Sequence, residues 1–548
     1  MENPLLTDWK TPFALPPFDL ISPSHFTGAV KKSIEQAKDE ISIIRANPEP
    51  PSFSNTIEAL DRAGIKLDEV ASLLFNLNSA ETNKDLQAAA QEVSPLLSAF
   101  SDDITLDPLL FSRISEIYDR RSSLGLDEEQ HMLLKQTYRN FLKGGASLEE
   151  DKRERFRRVN QELSTLSLQF EENVLEETNA FFLHITDQDD LEGLPEGIIE
   201  AAAEEAKNSG RDGWVFTLHY PSYIPFMQYS ARRHLRELMF RAYSSRAFQK
   251  EKNDNREIVR RIISLRREKA SLLSYDNYAE FVLGDRMLDS PGRVMDFLEE
   301  LQAASAEYAT RDRDELSSYA AANGHKGRLE RWDWAWYSEK LKKSMFDIDD
   351  ETLRPYFMLP EVEKAIFKLA STLYGLSFEY RKDLPRYHKD VKAFSVKDST
   401  GKHLSVLYLD YYPRKGKSGG AWMTAYRDQY STGGDDIRPV ISIVTNFSKP
   451  SASRPALITH NELTTFMHEF GHALHGMMSR CRYRSLSGTN VARDFVELPS
   501  QIMENWAYEK EWLDSWARHY KTGEKIPPGL INKIKESITF NEGYACNR

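Results

Sequence analysis

Residues 464–478 read TTFMHEFGHALHGMM, and within them His468-Glu469-Phe470-Gly471-His472 forms an H-E-x-x-H pattern. On an α-helix, residues four apart share a face, so His468 and His472 point the same way. Two imidazoles at that spacing can hold one zinc ion. Glu469, beside the first of them, can take a proton from a metal-bound water. Leu463, Phe466, Met467, Phe470 and Leu474 recur at helical spacing, and Asn461 is a candidate cap for the start. The pattern fixes only three residues, so its weight depends on what lies downstream.

Downstream, Ser487-Gly488-Thr489-Asn490 has turn chemistry and leads into 493–506, RDFVELPSQIMENW. Glu497 lies 25 residues past His472 (497 − 472). From a second helix it can return to the metal as a third ligand. Two His and one Glu leave a fourth position open, as a catalytic zinc site requires. A closed structural site would use cysteines, and only Cys481 and Cys546 exist. Asp494 and Glu504 flank Glu497. Either can orient a ligand imidazole from behind, or stand as an ordinary solvated carboxylate. His475 is a candidate for the same task, although a packed or surface histidine is its ordinary reading. His460 is given no role.

Such a site predicts hydrolysis. Zinc draws the pKa of its water towards roughly 7, and Glu469 accepts the proton and can hand it to a leaving amine. The oxyanion needs further donors. Val440–Val444, an apolar run after Pro439, reads as a strand that can pair with an extended substrate.

Composition narrows the class. The chain has 548 residues, 40% hydrophobic and 28% charged, with a net charge of −12. That charge argues against nucleic acid as the main partner. No run of about 20 apolar residues exists, so no membrane span is expected. The start lacks the basic-then-apolar pattern of a secretory signal. With two cysteines, the expected setting is cytoplasmic and the expected state a monomer.

The order of elements predicts a mainly helical chain. Residues 1–21 read as an extended arm. Ser22-Pro23 starts a helix through Ile44, and Asn55 with Glu58 reads as a capping box for another helix to about Leu73. Residues 85–117 and 127–182 read as further helices. Trp214–Tyr220 has strand composition, helices resume over 224–248 and 255–273, and Ser290-Pro291 opens one ending near Ala309. Pro360–Tyr374 is a helix closed by Gly375. Leu376–Tyr380, Val391–Lys397 and His403–Asp410 read as strands, so a small sheet precedes the H-E-x-x-H helix.

HEFGHALHG (468–476) and DFVELPSQIMENW (494–506) resemble the M3 family of zinc oligopeptidases. The resemblance extends to LYLDYYPRKGKSGGAW (407–422), PVISIVTNF (439–447), PPFDLISPSHFTGAVKKSIEQA (16–37) and NPEPPSFSNTIEALDRAG (47–64). The last two are most similar to the family's dipeptidyl carboxypeptidase branch. The resemblance implies a two-lobed, mainly α ellipsoid with a deep central channel and a gluzincin-like sheet beside the zinc helix. It divides the chain into an N-terminal helical region, 1–220, and a catalytic region, 221–548. It implies one Zn2+ on His468, His472 and Glu497, with Glu469 as base, acting on short peptides to release C-terminal dipeptides. An oligoendopeptidase of the same family is the alternative. Family members continue past the segment similar to FNEGYA (540–545) with a Gly- and Tyr-rich stretch that aids the oxyanion. The resemblance is thus to a member shortened at its C-terminus, which opens a third reading, a non-catalytic remnant that binds zinc and peptide.

Overall fold

Local signals set most helix starts. Ser22 precedes Pro23, and its N–H donates to His25 Nδ1 at 3.2 Å, so the helix Pro23–Arg45 begins at the Ser-Pro pair. The computed structural model describes residues 3–432, 434–451 and 453–547; Met1 and Glu2 of the expected arm lie outside them. The rest of the arm packs on the body, with Leu5, Leu15 and Phe18 buried.

Some expected boundaries move. Ser52, not Asn55, caps the next helical segment, and Asn55 is the reciprocal partner three residues on. The segment breaks at Gly64, whose φ of +78° only glycine adopts without strain, and Ile65–Ala80 follows as a separate helix. Residues 85–117 form two helices, Lys84–Thr105 and Pro108–Asp119, because Asp107 caps the second. Residues 127–182 likewise split into Glu128–Lys143 and Glu150–Ala180. The helix from Pro291 runs on to Ala322, well past Ala309.

Nine strands are described: β1 (Phe182–Ile185), β2 (Trp214–Thr217), β3 (Ser377–Tyr380), β4 (Lys392–Lys397), β5 (His403–Asp410), β6 (Trp422–Arg427), β7 (Tyr430–Thr432), β8 (Asp435–Ile437) and β9 (Val440–Val444). β1 pairs with β2 and β7 with β8. The other five form one sheet in the order β3-β4-β5-β9-β6, antiparallel except for β5 and β9.

Both faces of this sheet are covered, which is why β5 and β9 read as continuous apolar runs. Leu407, Leu409, Ile441 and Ile443 face a core shared with Leu463, Phe466, Met467 and Phe470 of the helix His460–Met477. Val406, Tyr408 and Val440 face a second core with Phe18, Phe26, Leu73 and Leu74. The N-terminal helices are therefore joined to the back of the sheet by common packing. No helix among the described residues is long and apolar enough to cross a membrane.

Candidate metal centre

The helix His460–Met477, here called the site helix, starts two residues earlier than a cap at Asn461 would set it. Thr459 Oγ1 accepts the Glu462 N–H at 3.1 Å, and Glu462 Oε2 accepts the Thr459 N–H at 2.8 Å. Asn461 instead donates to the Tyr220 hydroxyl at 3.2 Å. The apolar stripe is buried against the sheet, which turns His468 and His472 the other way, toward the helix Glu497–Glu504.

These two helices cross closely because of Gly471. A Cβ there would stand 2.6 Å from both Pro499 O and Ser500 Cα. The glycine inside H-E-F-G-H thus lets the second helix lie against the first and delivers Glu497. Glu497 Oε2 sits 3.2 Å from His468 Nε2 and 3.1 Å from His472 Nε2. The three ligand atoms all lie within 4.8 Å of one another. Ser500 Oγ donates to Glu497 Oε2 at 3.0 Å and steadies it.

The flanking candidates separate. Glu504 Oε1 lies 2.6 Å from His468 Nδ1. An ionised carboxylate only accepts, so the proton belongs on Nδ1 and the Nε2 lone pair faces Glu497. Asp494 does not reach either imidazole. It accepts the N–H groups of Met287 and Leu288, tying that loop to the start of the second helix. His475 Nδ1 is buried without a hydrogen-bond partner among the described residues, and burial holds the ring below its ordinary pKa. No hydrogen bond joins it to His468, His472 or Glu497 among the described residues, although its charge acts on His472. His460 is fully committed to the Ala507 carbonyl at 2.9 Å.

Glu469 is 5% exposed, and among the described residues its Oε2 has no hydrogen-bond partner. Burial pushes its carboxyl up to about 7; His468 and the Met423 amide pull it down, and Glu497 pushes it up. Burial likewise lowers the His472 imidazole, against the pull of Glu497. The donor set fits a divalent cation. Three acceptor atoms converge with nothing positive between them, and His468 has its far nitrogen held by a carboxylate, as metal-binding histidines generally do.

The substrate-pairing strand expected at Val440–Val444 is misplaced. β9 is central, paired on both sides and wholly buried, so it has no free edge. β6 and β3 are the two edge strands, and β6 packs against the site helix; Met423 on it approaches Glu469. Asn76 Nδ2 takes one β6 acceptor, Ala425 O, at 3.0 Å. No strand is expected at WMTAYR (422–427) in the sequence reading above, although Trp422, Thr424 and Tyr426 are strand-favouring residues at alternate positions.

The family profile described as Peptidase family M3 matches residues 226–548. Over 547 residues the chain is 37% identical to a dipeptidyl carboxypeptidase of Escherichia coli K12, covering 99% of this chain and 80% of that protein. It is 35% identical to oligopeptidase A of the same organism, covering 97% and 79%. It is also 35% identical to the organellar oligopeptidase A of Arabidopsis thaliana, covering 99% and 70%.

Proposed function

The chain belongs to peptidase family M3, a metallopeptidase family, and on that premise we propose that it hydrolyses short peptides, releasing dipeptides from free C-termini, with one zinc ion held by His468, His472 and Glu497. The observation that carries this reading is the convergence of His468 Nε2, His472 Nε2 and Glu497 Oε2 beside a buried carboxylate, Glu469, one of whose oxygens has no donor among the described residues.

Zinc bound there supplies Lewis acidity and draws the pKa of water toward neutrality. The rest is done by the chain. Glu469, poised near 7, takes the proton of the attacking water and returns it to the leaving amine. Glu504 fixes the His468 tautomer, and Ser500 orients Glu497. The edge of β6 offers backbone groups to an extended peptide next to Glu469.

Mass spectrometry of a defined peptide mixture tests the reading, with a chelator as control. Successive loss of C-terminal dipeptides, abolished by the chelator, is the expected result. Internal cuts that persist when the C-terminus is amidated would move the chain to oligoendopeptidase activity, in keeping with its likeness to oligopeptidase A. A folded, zinc-loaded chain that cuts nothing would overturn the proposal and leave the non-catalytic reading.

A further inference from the structure

The helix Glu497–Glu504 carries the third candidate ligand on its first residue, and no side chain caps that end. Its far end is held by Glu504 on His468, and its middle by the crossing at Gly471. Residues 491–496, which lead into it, are exposed or half-buried. Their backbone bonds are local. Phe495 and Val496 donate to Ala492 O at 2.9 and 3.1 Å, and Leu498 donates to Phe495 O at 2.9 Å. Among the described residues, Asp494 is the only member of 491–496 whose side chain is hydrogen-bonded to another part of the chain.

What Asp494 holds is itself held. Its Oδ2 accepts the Met287 N–H at 2.8 Å and the Leu288 N–H at 3.1 Å. Both amides belong to the loop 284–290, between the helices Tyr278–Leu283 and Pro291–Ala322. Two residues before Met287, Asp285 is paired with Arg139 at 2.7 Å and with Lys143, both on the helix Glu128–Lys143. Between the two carboxylates, the Arg286 N–H donates to Leu283 O at 2.9 Å and stiffens the loop. One carboxylate thus ties the loop to the N-terminal helices, and a second ties it to the start of the ligand helix.

Packing does not duplicate this link. None of the buried apolar clusters includes a residue of 284–290 or 491–496. Two neighbouring amides on one carboxylate make charge-assisted bonds that fix direction as well as position. The helical turn 492–498 then passes any displacement of Asp494 to Glu497, three residues on. Helix ends fray, whereas a metal site needs its ligands held within about 0.5 Å.

We propose that Asp494 is a positioning residue. By holding the 287–288 amides it fixes Glu497 against His468 and His472, and it ties the candidate metal centre to the helix Glu128–Lys143. This deepens, and rests on, the zinc peptidase reading above.

The test compares Asp494→Ala, Asp285→Ala and the double variant with the unaltered full chain. Hydrogen exchange on the zinc-free chains, read by mass spectrometry of peptides spanning 285–290 and 491–504, follows the link without any metal. Asp494→Ala should speed exchange in both peptides. Asp285→Ala should speed it in 491–504 as well, although Asp285 bonds to nothing there. Competition with a chelating dye reads the consequence. Asp494→Ala should weaken zinc about ten-fold, Asp285→Ala by less, and the double variant no more than Asp494→Ala alone, since both break one path. Asp494→Asn keeps a carbonyl acceptor and should recover part of the loss. The urea midpoint of the zinc-free chains should stay in place, because both carboxylates lie outside the cores. Unchanged zinc affinity in Asp494→Ala, an Asp285→Ala chain that behaves as the unaltered one, or losses that add in the double variant would overturn the proposal. So would a fall in the midpoint that accounts for the zinc loss, since Asp494 would then act on stability alone. An unaltered chain that binds no zinc sinks the peptidase reading and leaves exchange to decide this one. A chain that cuts peptides while Asp494→Ala keeps full zinc affinity sinks this proposal and spares that reading.

Discussion

Among the buried carboxylates of residues 221–548, Asp410 and Glu469 behave in opposite ways. Asp410, at the end of β5, is 0% exposed. Its oxygens accept from Arg414 at 2.6 and 2.8 Å, Lys417 at 2.9 Å and the Tyr387 hydroxyl at 2.7 Å. Burial alone would raise its pKa, but Arg414 and Lys417 outweigh burial and hold the carboxyl below its ordinary value. Glu469 is nearly as buried, yet one of its oxygens has no donor and its carboxyl is pushed up to about 7. Burial therefore says little about what a carboxylate is for. The donors around it decide: a satisfied one holds loops in place, and a bare one is ready to take a proton.

The largest effect expected on the site side of this contrast is from His472→Ala. Removing one of three ligands should abolish zinc retention and peptide hydrolysis together, read by metal analysis and cleavage assay. A chain that keeps its zinc would refute the ligand assignment. On the structural side, Asp410→Asn leaves Lys417 buried without its counter-charge and should cost about 3 kcal/mol, read from the urea midpoint. The pH dependence has a definite sign. The folded pKa of Asp410 lies below its ordinary 3.8, so its contribution is full above that value and is lost as pH falls through the folded pKa. The deficit of Asp410→Asn should therefore shrink in acid. A deficit that grows in acid would break the contrast with Glu469, whose raised pKa works the other way.

Smaller changes sharpen the comparison. Gly471→Ala forces the helix Glu497–Glu504 away from the site helix and should cost about 1–3 kcal/mol, with weakened zinc binding. Stability and zinc affinity both unchanged would mean that the close crossing is not what places Glu497. Glu504→Gln leaves the fold alone and should weaken zinc about 10- to 100-fold, measured by competition with a chelating dye. No change would leave Glu504 as a bystander.

Much of this was legible in the residues. The site helix announces itself by its apolar stripe, and the sheet beside it by the runs in 391–397, 403–410 and 440–444. The candidate ligands and Glu504 follow from helical spacing. What failed depends on long-range packing. Asp494 and Glu504 both flank Glu497, but only the crossing at Gly471 sends one to His468 and the other to the 287–288 loop. Caps slipped by two or three residues because Thr459 lies two residues before Asn461, and Ser52 three before Asn55, and each takes a first-turn amide of its helix. Chain order points to β9 as the substrate strand because it precedes the site helix, whereas pairing order puts β6 at an edge.

The most direct measurement is the zinc content and peptide cleavage rate of Glu469→Gln beside the unaltered chain. The account predicts one zinc per chain in both, with cleavage lowered by about 10²- to 10⁴-fold in the variant. A variant that keeps its zinc and cleaves within a few-fold of the unaltered chain would contradict it.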